Sequence, residues 1–134
     1  ESLPPFSPLV CYEGIFPWLA VDANHRPAWM LNITNDAWYG DSPGPYQHFD
    51  MVRMRAIEQG LPMVRVANSG ISGVMDSYGR MVGSLALNQR GFIDITLPKA
   101  DAPPLYARYG ELMLISLLIL MNFVIKTRRN QHQI

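Results

Sequence analysis

The feature that most constrains this fold is a single amphipathic segment, 47–59, set among short apolar segments that turn residues separate. Within it, Phe49, Val52 and Ala56 fall near one face at the 3.6-residue period. Gly60 suits the position just past a helix end. The spacing therefore predicts one helix over 47–59.

The other apolar segments have the lengths and compositions of β-strands. In 63–68, Val64 and Val66 lie on one face and Arg65 on the other, as expected for a strand. The residues 77–80 have the composition of a hairpin turn. The predicted strands are 9–12, 30–35, 63–68, 70–76, 81–87 and 91–97. A chain of 134 residues allows one domain at most.

Composition and motif spacing disfavour several functions. Eleven basic residues balance eleven acidic ones. The sequence therefore has neither the net positive charge that favours nucleic-acid binding nor the acidic tail that favours disorder. The three histidines have no metal-ligand spacing to one another or to the cysteine, so no metal site is predicted. The segment 70–74 resembles a serine nucleophile elbow but ends on Val74, where glycine is needed. The sequence contains no glycine loop for phosphate, and no cofactor is predicted.

The only cysteine, Cys11, stands where the first predicted strand gives way to a turn. A lone thiol at the end of a strand is a candidate nucleophile, because the strand holds its side chain at the edge of the sheet. The alternative is a buried cysteine that acts as a small hydrophobic residue.

The C-terminal segment 112–125 is apolar and carries no charge. It is shorter than the roughly 20 residues that cross a bilayer as a helix. Tyrosines precede it and a basic cluster follows it, as at the two interfaces of a membrane span. These flanks predict a transmembrane helix over 105–126 and a cytoplasmic basic tail over 127–134. The rest of the chain would then face an oxidising compartment, where a free thiol is a liability unless it does chemistry.

Five segments, taken in order, resemble the C-terminal half of the bacterial apolipoprotein N-acyltransferases, membrane enzymes of the nitrilase superfamily. They are Cys11-Tyr12-Glu13, Asn35-Asp36-Ala37-Trp38-Tyr39-Gly40-Asp41, Gly44-Pro45-Tyr46-Gln47-His48, Arg53-Met54-Arg55-Ala56-Ile57-Glu58 and Arg65-Val66-Ala67-Asn68-Ser69-Gly70-Ile71-Ser72. The resemblance covers nearly the whole chain, from about Pro8 to the basic tail.

The resemblance implies an α/β fold, the nitrilase α-β-β-α sandwich, of which residues 1–104 would be the C-terminal half. It implies an enzyme that takes an acyl chain from a phospholipid as a cysteine thioester. The acyl group then passes to the N-terminal amine of the diacylglyceryl-cysteine of an apolipoprotein. The location implied is the bacterial inner membrane, with the catalytic domain in the periplasm.

The resemblance also implies the site residues. It assigns Cys11 as the nucleophile, Tyr12 and Glu13 as neighbours that activity needs, and a loop near the mouth of the site that contains Trp38, Tyr39 and Gly40. For Glu13, both a direct catalytic role and hydrogen bonding that holds the cysteine loop are open. The family triad is Glu-Lys-Cys, and the resemblance places its Glu and Lys in segments preceding the cysteine, outside this chain.

Two alternatives to an N-acyltransferase remain at this point. A nitrilase-type amidase that acts on a small carbon–nitrogen substrate would share the fold and the cysteine. An inactive, truncated remnant would lack the base and the lysine. The apolar C-terminal segment favours the acyltransferase, because a soluble amidase has no need of it.

Overall fold

The computed structural model describes residues 3–131, and the chain divides into two compact units, Glu1–Ala102 and Pro103–Ile134. The first unit contains one five-stranded mixed sheet, whose spatial order follows the chain. The strands are β1 Phe6–Val10, β2 Trp29–Asn35, β3 Met63–Asn68, β4 Ser72–Met75 and β5 Met81–Leu85. The first three strands are parallel, and the last two add to the sheet as antiparallel neighbours.

Helix α1, Gly44–Gln59, confirms the predicted helix and begins three residues earlier than expected. Pro45 lies in its first turn, where a missing N–H breaks no helical hydrogen bond. Gly60 has a φ of +61° and ends the helix, and its N–H reaches carbonyls of the last turn. The helix supplies the crossover that the parallel pair β2 and β3 requires.

The hydrophobic core lies between α1 and one face of the sheet. Leu9 of β1, Met30 of β2 and Met63 of β3 point towards the helix, and Val52 and Ala56 meet them from α1. The buried core residues are Leu9, Ala20, Met30, Phe49, Val52, Ala56, Leu61, Met63 and Met75.

The other face of the sheet is apolar, and it is exposed at the carboxyl ends of β1, β2 and β3. Val10, Ile33 and Val66 are neighbours in register on β1, β2 and β3, and they are 61%, 52% and 53% exposed. Because side chains alternate between the faces of a strand, these residues point away from α1. The sheet thus has one face packed on its helix and one face available for packing.

Two predicted strands need correction. The first strand ends at Val10 and not at residue 12, because Cys11 begins a short 3-10 turn, Cys11–Ile15. The predicted strand 91–97 is wrong, since this segment is not part of the sheet. Its isoleucines pack over Gly83 of β5, which gives the burial pattern of a strand without a hydrogen-bonded ladder.

The second unit contains α2, Leu105–Tyr109, and α3, Leu112–Gln131. Among residues 3–131, none of the helices has the length and apolar character that crossing a membrane demands. The predicted transmembrane helix over 105–126 is therefore not confirmed. Gly110, with a φ of +52°, separates the two helices, and the last turn of α3 contains Arg128 and Arg129. The predicted tail 127–134 starts inside α3, and residues 132–134 lie outside the described part.

Replacing Val52 with alanine tests the packing of α1. Val52 is fully buried, and its Cγ2 atom lies against Gly14 of the cysteine turn. We expect Val52→Ala to lower the free energy of unfolding by about 2 kcal/mol, from lost apolar burial and a small cavity. Chemical denaturation of the protein measures this value. Val82→Ala, at a position that is 49% exposed, is the matched control and should change it by less than about 0.5 kcal/mol.

Candidate active site

Cys11 lies at the carboxyl end of β1, where the strand turns into Cys11–Ile15. Its φ is +50°, in the left-handed region that side chains with a Cβ rarely adopt. The side chain is partly buried, and the thiol forms no disulfide. A residue in such a conformation persists only where its surroundings hold it, so the contacts of this turn decide how the thiol is presented.

Two polar side chains hold the cysteine turn. Glu13 accepts a hydrogen bond from the backbone N–H of Val10 at its Oε2 atom, at 2.7 Å. Asn32 Nδ2 donates to the carbonyl oxygens of Leu9, at 3.0 Å, and Cys11, at 3.2 Å. Of the two roles open for Glu13, direct catalysis and holding the cysteine loop, this hydrogen bond corresponds to the second. Both side chains fix the backbone on either side of the strand end.

A buried ion pair lies behind this turn. Arg65 Nη2 donates to Asp36 Oδ2 at 2.7 Å, and both side chains are fully buried. Arg65 Nη1 donates to the amide oxygen of Asn32, so the guanidinium also orients the group that holds the cysteine turn. Burial lowers the pKa of Arg65, and the carboxylate of Asp36 acts in the opposite direction.

Thr34 connects the ion pair to the thiol. Its Oγ1 atom lies 3.2 Å from Asp36 Oδ1 and 3.5 Å from Cys11 Sγ. The side chain of Thr34 is 7% exposed. A short polar chain therefore runs from the guanidinium of Arg65 through a carboxylate and a hydroxyl to the sulfur.

His48 of α1 joins the same network. Its Nδ1 atom lies 2.9 Å from Asp36 Oδ1. The ring lies beside Tyr12 and Tyr39, with centroids 5.7 and 5.8 Å apart. The imidazole thus ties α1 to the strand ends, and it contacts both Tyr12 of the cysteine turn and Tyr39.

The predicted mouth loop follows Asp36 directly. Residues Asp36–Tyr39 form a 3-10 turn that Gly40 ends with a φ of +57°. Tyr39 reaches the network through His48, and its partial burial raises its pKa, with the nearby Tyr12 adding to the effect. Trp38 points away from the described residues and is 85% exposed. The structure therefore brings Tyr39 to the site and leaves Trp38 as an exposed aromatic surface beside it.

The buried polar network has no obvious signature in the sequence. Asn32, Thr34, Asp36 and Arg65 are all buried. The signal available was the alternation within β2, in which Asn32 and Thr34 share one face while Leu31 and Ile33 share the other. Hydrophobicity alone places the apolar face inward. At the carboxyl end of β2 the orientation is the opposite: the face with Asn32 and Thr34 turns towards α1, and Ile33 points away from it.

The family model for carbon–nitrogen hydrolases matches residues 4–105. This match covers the sheet, the helix α1 and the cysteine turn. The chain therefore belongs to the carbon–nitrogen hydrolase family, whose nitrilase-like α/β fold its mixed sheet shows.

Within that family, the chain is similar to apolipoprotein N-acyltransferases. It is 52% identical over 128 residues to the one from Rhodopseudomonas palustris, covering 96% of this chain and 24% of the relative. It is 43% identical over 132 residues to the one from Brucella melitensis, covering 95% and 25%. The chain thus spans about a quarter of the length of these relatives.

Solved structures give the same fold. An amidase from Nesterenkonia sp. has a TM-score of 0.55 at 22% identity, over 88% of this chain and 48% of that one. A second structure from that genus, of strain AN1, shows the acetamide moiety of fluoroacetamide added covalently at the active-site cysteine of a mutant amidase. It has a TM-score of 0.50 at 26% identity, over 65% of this chain and 38% of that one.

Removing the cation of the buried pair tests the network. We expect Arg65→Met to lower the free energy of unfolding by about 3–5 kcal/mol, because it leaves the Asp36 carboxylate buried without its partner. Denaturant unfolding measures the loss. Arg80→Met removes an exposed arginine and should change stability by less than about 0.5 kcal/mol. An Arg65→Met variant as stable as the control would contradict a structural role for the pair.

Proposed function

We propose that this chain is the C-terminal part of an apolipoprotein N-acyltransferase and that Cys11 is its nucleophile. The observation that carries the proposal is the chain's one thiol, held at a strand end by a dedicated polar network, in a sequence 52% identical to an enzyme of that name. The acyl donor is a phospholipid, and the acceptor is the N-terminal diacylglyceryl-cysteine of an apolipoprotein.

The proposed reaction has two steps. The thiolate of Cys11 attacks the ester carbonyl of the phospholipid, a carbon–sulfur bond forms, and the lysophospholipid alcohol leaves with a proton. The acceptor amine then attacks the thioester, forms an amide and releases the thiol. Thioester formation divides one transfer between two lipid-bound substrates into two easier steps.

The neighbouring residues have separate proposed roles. The backbone N–H of Tyr12, directly after the nucleophile, donates to the oxyanion of each tetrahedral intermediate. Glu13 holds the turn through Val10, which its 2.7 Å hydrogen bond supports. Trp38, Tyr39 and Gly40 line the entry for substrate, and the exposure of Trp38 supports a contact with a ligand.

The remaining parts of the triad come from outside this chain in this proposal. Residues 1–104 form the C-terminal half of an α-β-β-α sandwich, and preceding segments supply the general base Glu and the Lys. Relatives about four times as long as the matched region support this view. The uncovered apolar face around Ile33 supports it too, because a second sheet would pack there.

The proposed location is the bacterial inner membrane, with residues 1–104 on the periplasmic side and the tail 127–134 on the cytoplasmic side. The second unit supports contact with lipid. The apolar side chains of 112–125 are 43–66% exposed, and Lys126, Arg128 and Arg129 follow them as a basic cluster at the end of the apolar run.

The nucleophile is tested by acyl-enzyme trapping. The full-length protein containing this chain is incubated with phospholipid labelled in its acyl chain, and covalent label is measured after denaturation. We expect Cys11→Ala to abolish the label and neutral hydroxylamine to release it from the unsubstituted protein, as for a thioester. Ser84→Ala, at an exposed position of β5, is the control and should keep full labelling. Undiminished labelling of Cys11→Ala would reject the proposal.

An amidase acting on a small carbon–nitrogen substrate is the second candidate. The 26% identity to an amidase with an acetamide adduct at its cysteine favours it. The same preparation distinguishes the two functions when it is given acetamide and its ammonia release is measured. We expect no ammonia above the Cys11→Ala background, and Cys11-dependent release without acyl transfer would replace the acyltransferase by an amidase.

A further inference from the structure

The hydroxyl of Thr34 lies between a nucleophile candidate and a buried carboxylate. Its oxygen is 3.5 Å from Cys11 Sγ and 3.2 Å from Asp36 Oδ1. A threonine hydroxyl has one hydrogen and can donate it to only one acceptor at a time. The sulfur and the carboxylate therefore compete for a single donor.

The charge on the sulfur decides that competition. A neutral thiol can donate its S–H to Thr34 Oγ1, which then donates to Asp36. A thiolate has no hydrogen and only accepts, so the hydroxyl gains most by turning its hydrogen to the sulfur. We propose that Thr34 is a positioning residue that donates a hydrogen bond to the thiolate of Cys11. This inference rests on the proposed function only for the use of the thiolate as nucleophile.

Asp36 can release the hydroxyl because the guanidinium of Arg65 donates to it, and His48 donates as well in the tautomer that has its proton on Nδ1. Arg65 Nη2 is 2.7 Å from its Oδ2 atom, and His48 Nδ1 is 2.9 Å from its Oδ1 atom. A carboxylate that depended on Thr34 alone would keep the hydrogen. The network therefore leaves the hydroxyl free to follow the charge on the sulfur.

The cation of Arg65 acts in the same direction. Negative charge on Cys11 is among the influences that raise the pKa of Arg65 against the effect of its burial. The guanidinium therefore reaches the cysteine turn through Asn32 and Asp36, the two side chains to which it donates. Among the described residues, titratable or charged groups surround Cys11 on three sides. Tyr12 and Glu13 belong to its own turn, Asp36 and Tyr39 belong to the turn after β2, and His48 and Arg65 come from α1 and β3.

Alkylation of Cys11 tests this inference without any lipid. Full-length protein is treated with iodoacetamide from pH 6 to 10, and mass spectrometry follows modification of the peptide that carries Cys11. The thiol first loses its proton to bulk water; the thiolate then attacks the methylene carbon of iodoacetamide, a carbon–sulfur bond forms and iodide leaves. We expect Thr34→Val to slow alkylation at pH 7 about tenfold and to move the pH profile upward, because a charged acceptor loses a hydrogen bond.

The controls separate the hydroxyl from packing. Thr34→Ser keeps the hydroxyl and should keep the unsubstituted pH profile, whereas Thr34→Ala should behave like Thr34→Val. Thr96→Val changes an exposed threonine and should have no effect. The thermal unfolding transition of each variant verifies that it is folded.

Two results would overturn the inference. One is an unchanged pH profile in a folded Thr34→Val or Thr34→Ala variant. The other is a Thr34→Ser profile shifted as far as that of the variants without a hydroxyl. Neither result bears on whether Cys11 forms an acyl-enzyme. Conversely, failure of the acyl-enzyme experiment would not change the alkylation profiles.

Discussion

The ion pair between Arg65 and Asp36 is the interaction on which the rest of this structure depends. Two fully buried charges are tolerated only when each has its partner and further hydrogen bonds. Arg65 stands directly opposite Asn32 in the register of β2 and β3. A slip of one residue would turn the guanidinium to the opposite face of the sheet and leave the Asp36 carboxylate without its cationic partner. The pair therefore specifies the register of the two central parallel strands, and His48 extends it to α1.

The same pair shapes the end of β1. Through Asn32 it holds the carbonyl groups of Leu9 and Cys11, and through Thr34 it reaches the sulfur. Polar residues thus occupy core positions where leucine or valine would pack without needing a hydrogen-bond partner. Proteins make that exchange at functional sites, where the position of a reactive group matters more than the last increment of stability. The left-handed backbone of the cysteine turn belongs to the same arrangement.

Much of the fold follows from the sequence, because local signals suffice for the helix predicted over 47–59 and for the five strands of the sheet, apart from their exact ends. Cys11 also stands out, as a lone thiol at a strand end. The partners of that thiol do not, since Asn32 meets Arg65, 33 residues further along the chain, and Thr34 meets an Asp36 carboxylate that is paired with the same Arg65. Such long-range satisfaction of polar groups leaves no periodic pattern in one strand. The segment 91–97 fails for the related reason that a ladder needs a partner edge, which alternation alone does not supply.

The uncovered face of the sheet and the cysteine turn are parts of one feature. Val10 is the last residue of β1 and lies on the exposed apolar face, and Cys11 follows it immediately. Any segment that packs on Val10 and on its neighbour Ile33 would lie beside the end of β1, where the cysteine turn begins. Burial of these apolar side chains would favour such packing, while the polar network on the opposite face holds the cysteine turn. In the proposed sandwich the cysteine turn is therefore already shaped by residues of this chain, and the covering half is needed only for the proposed Glu and Lys.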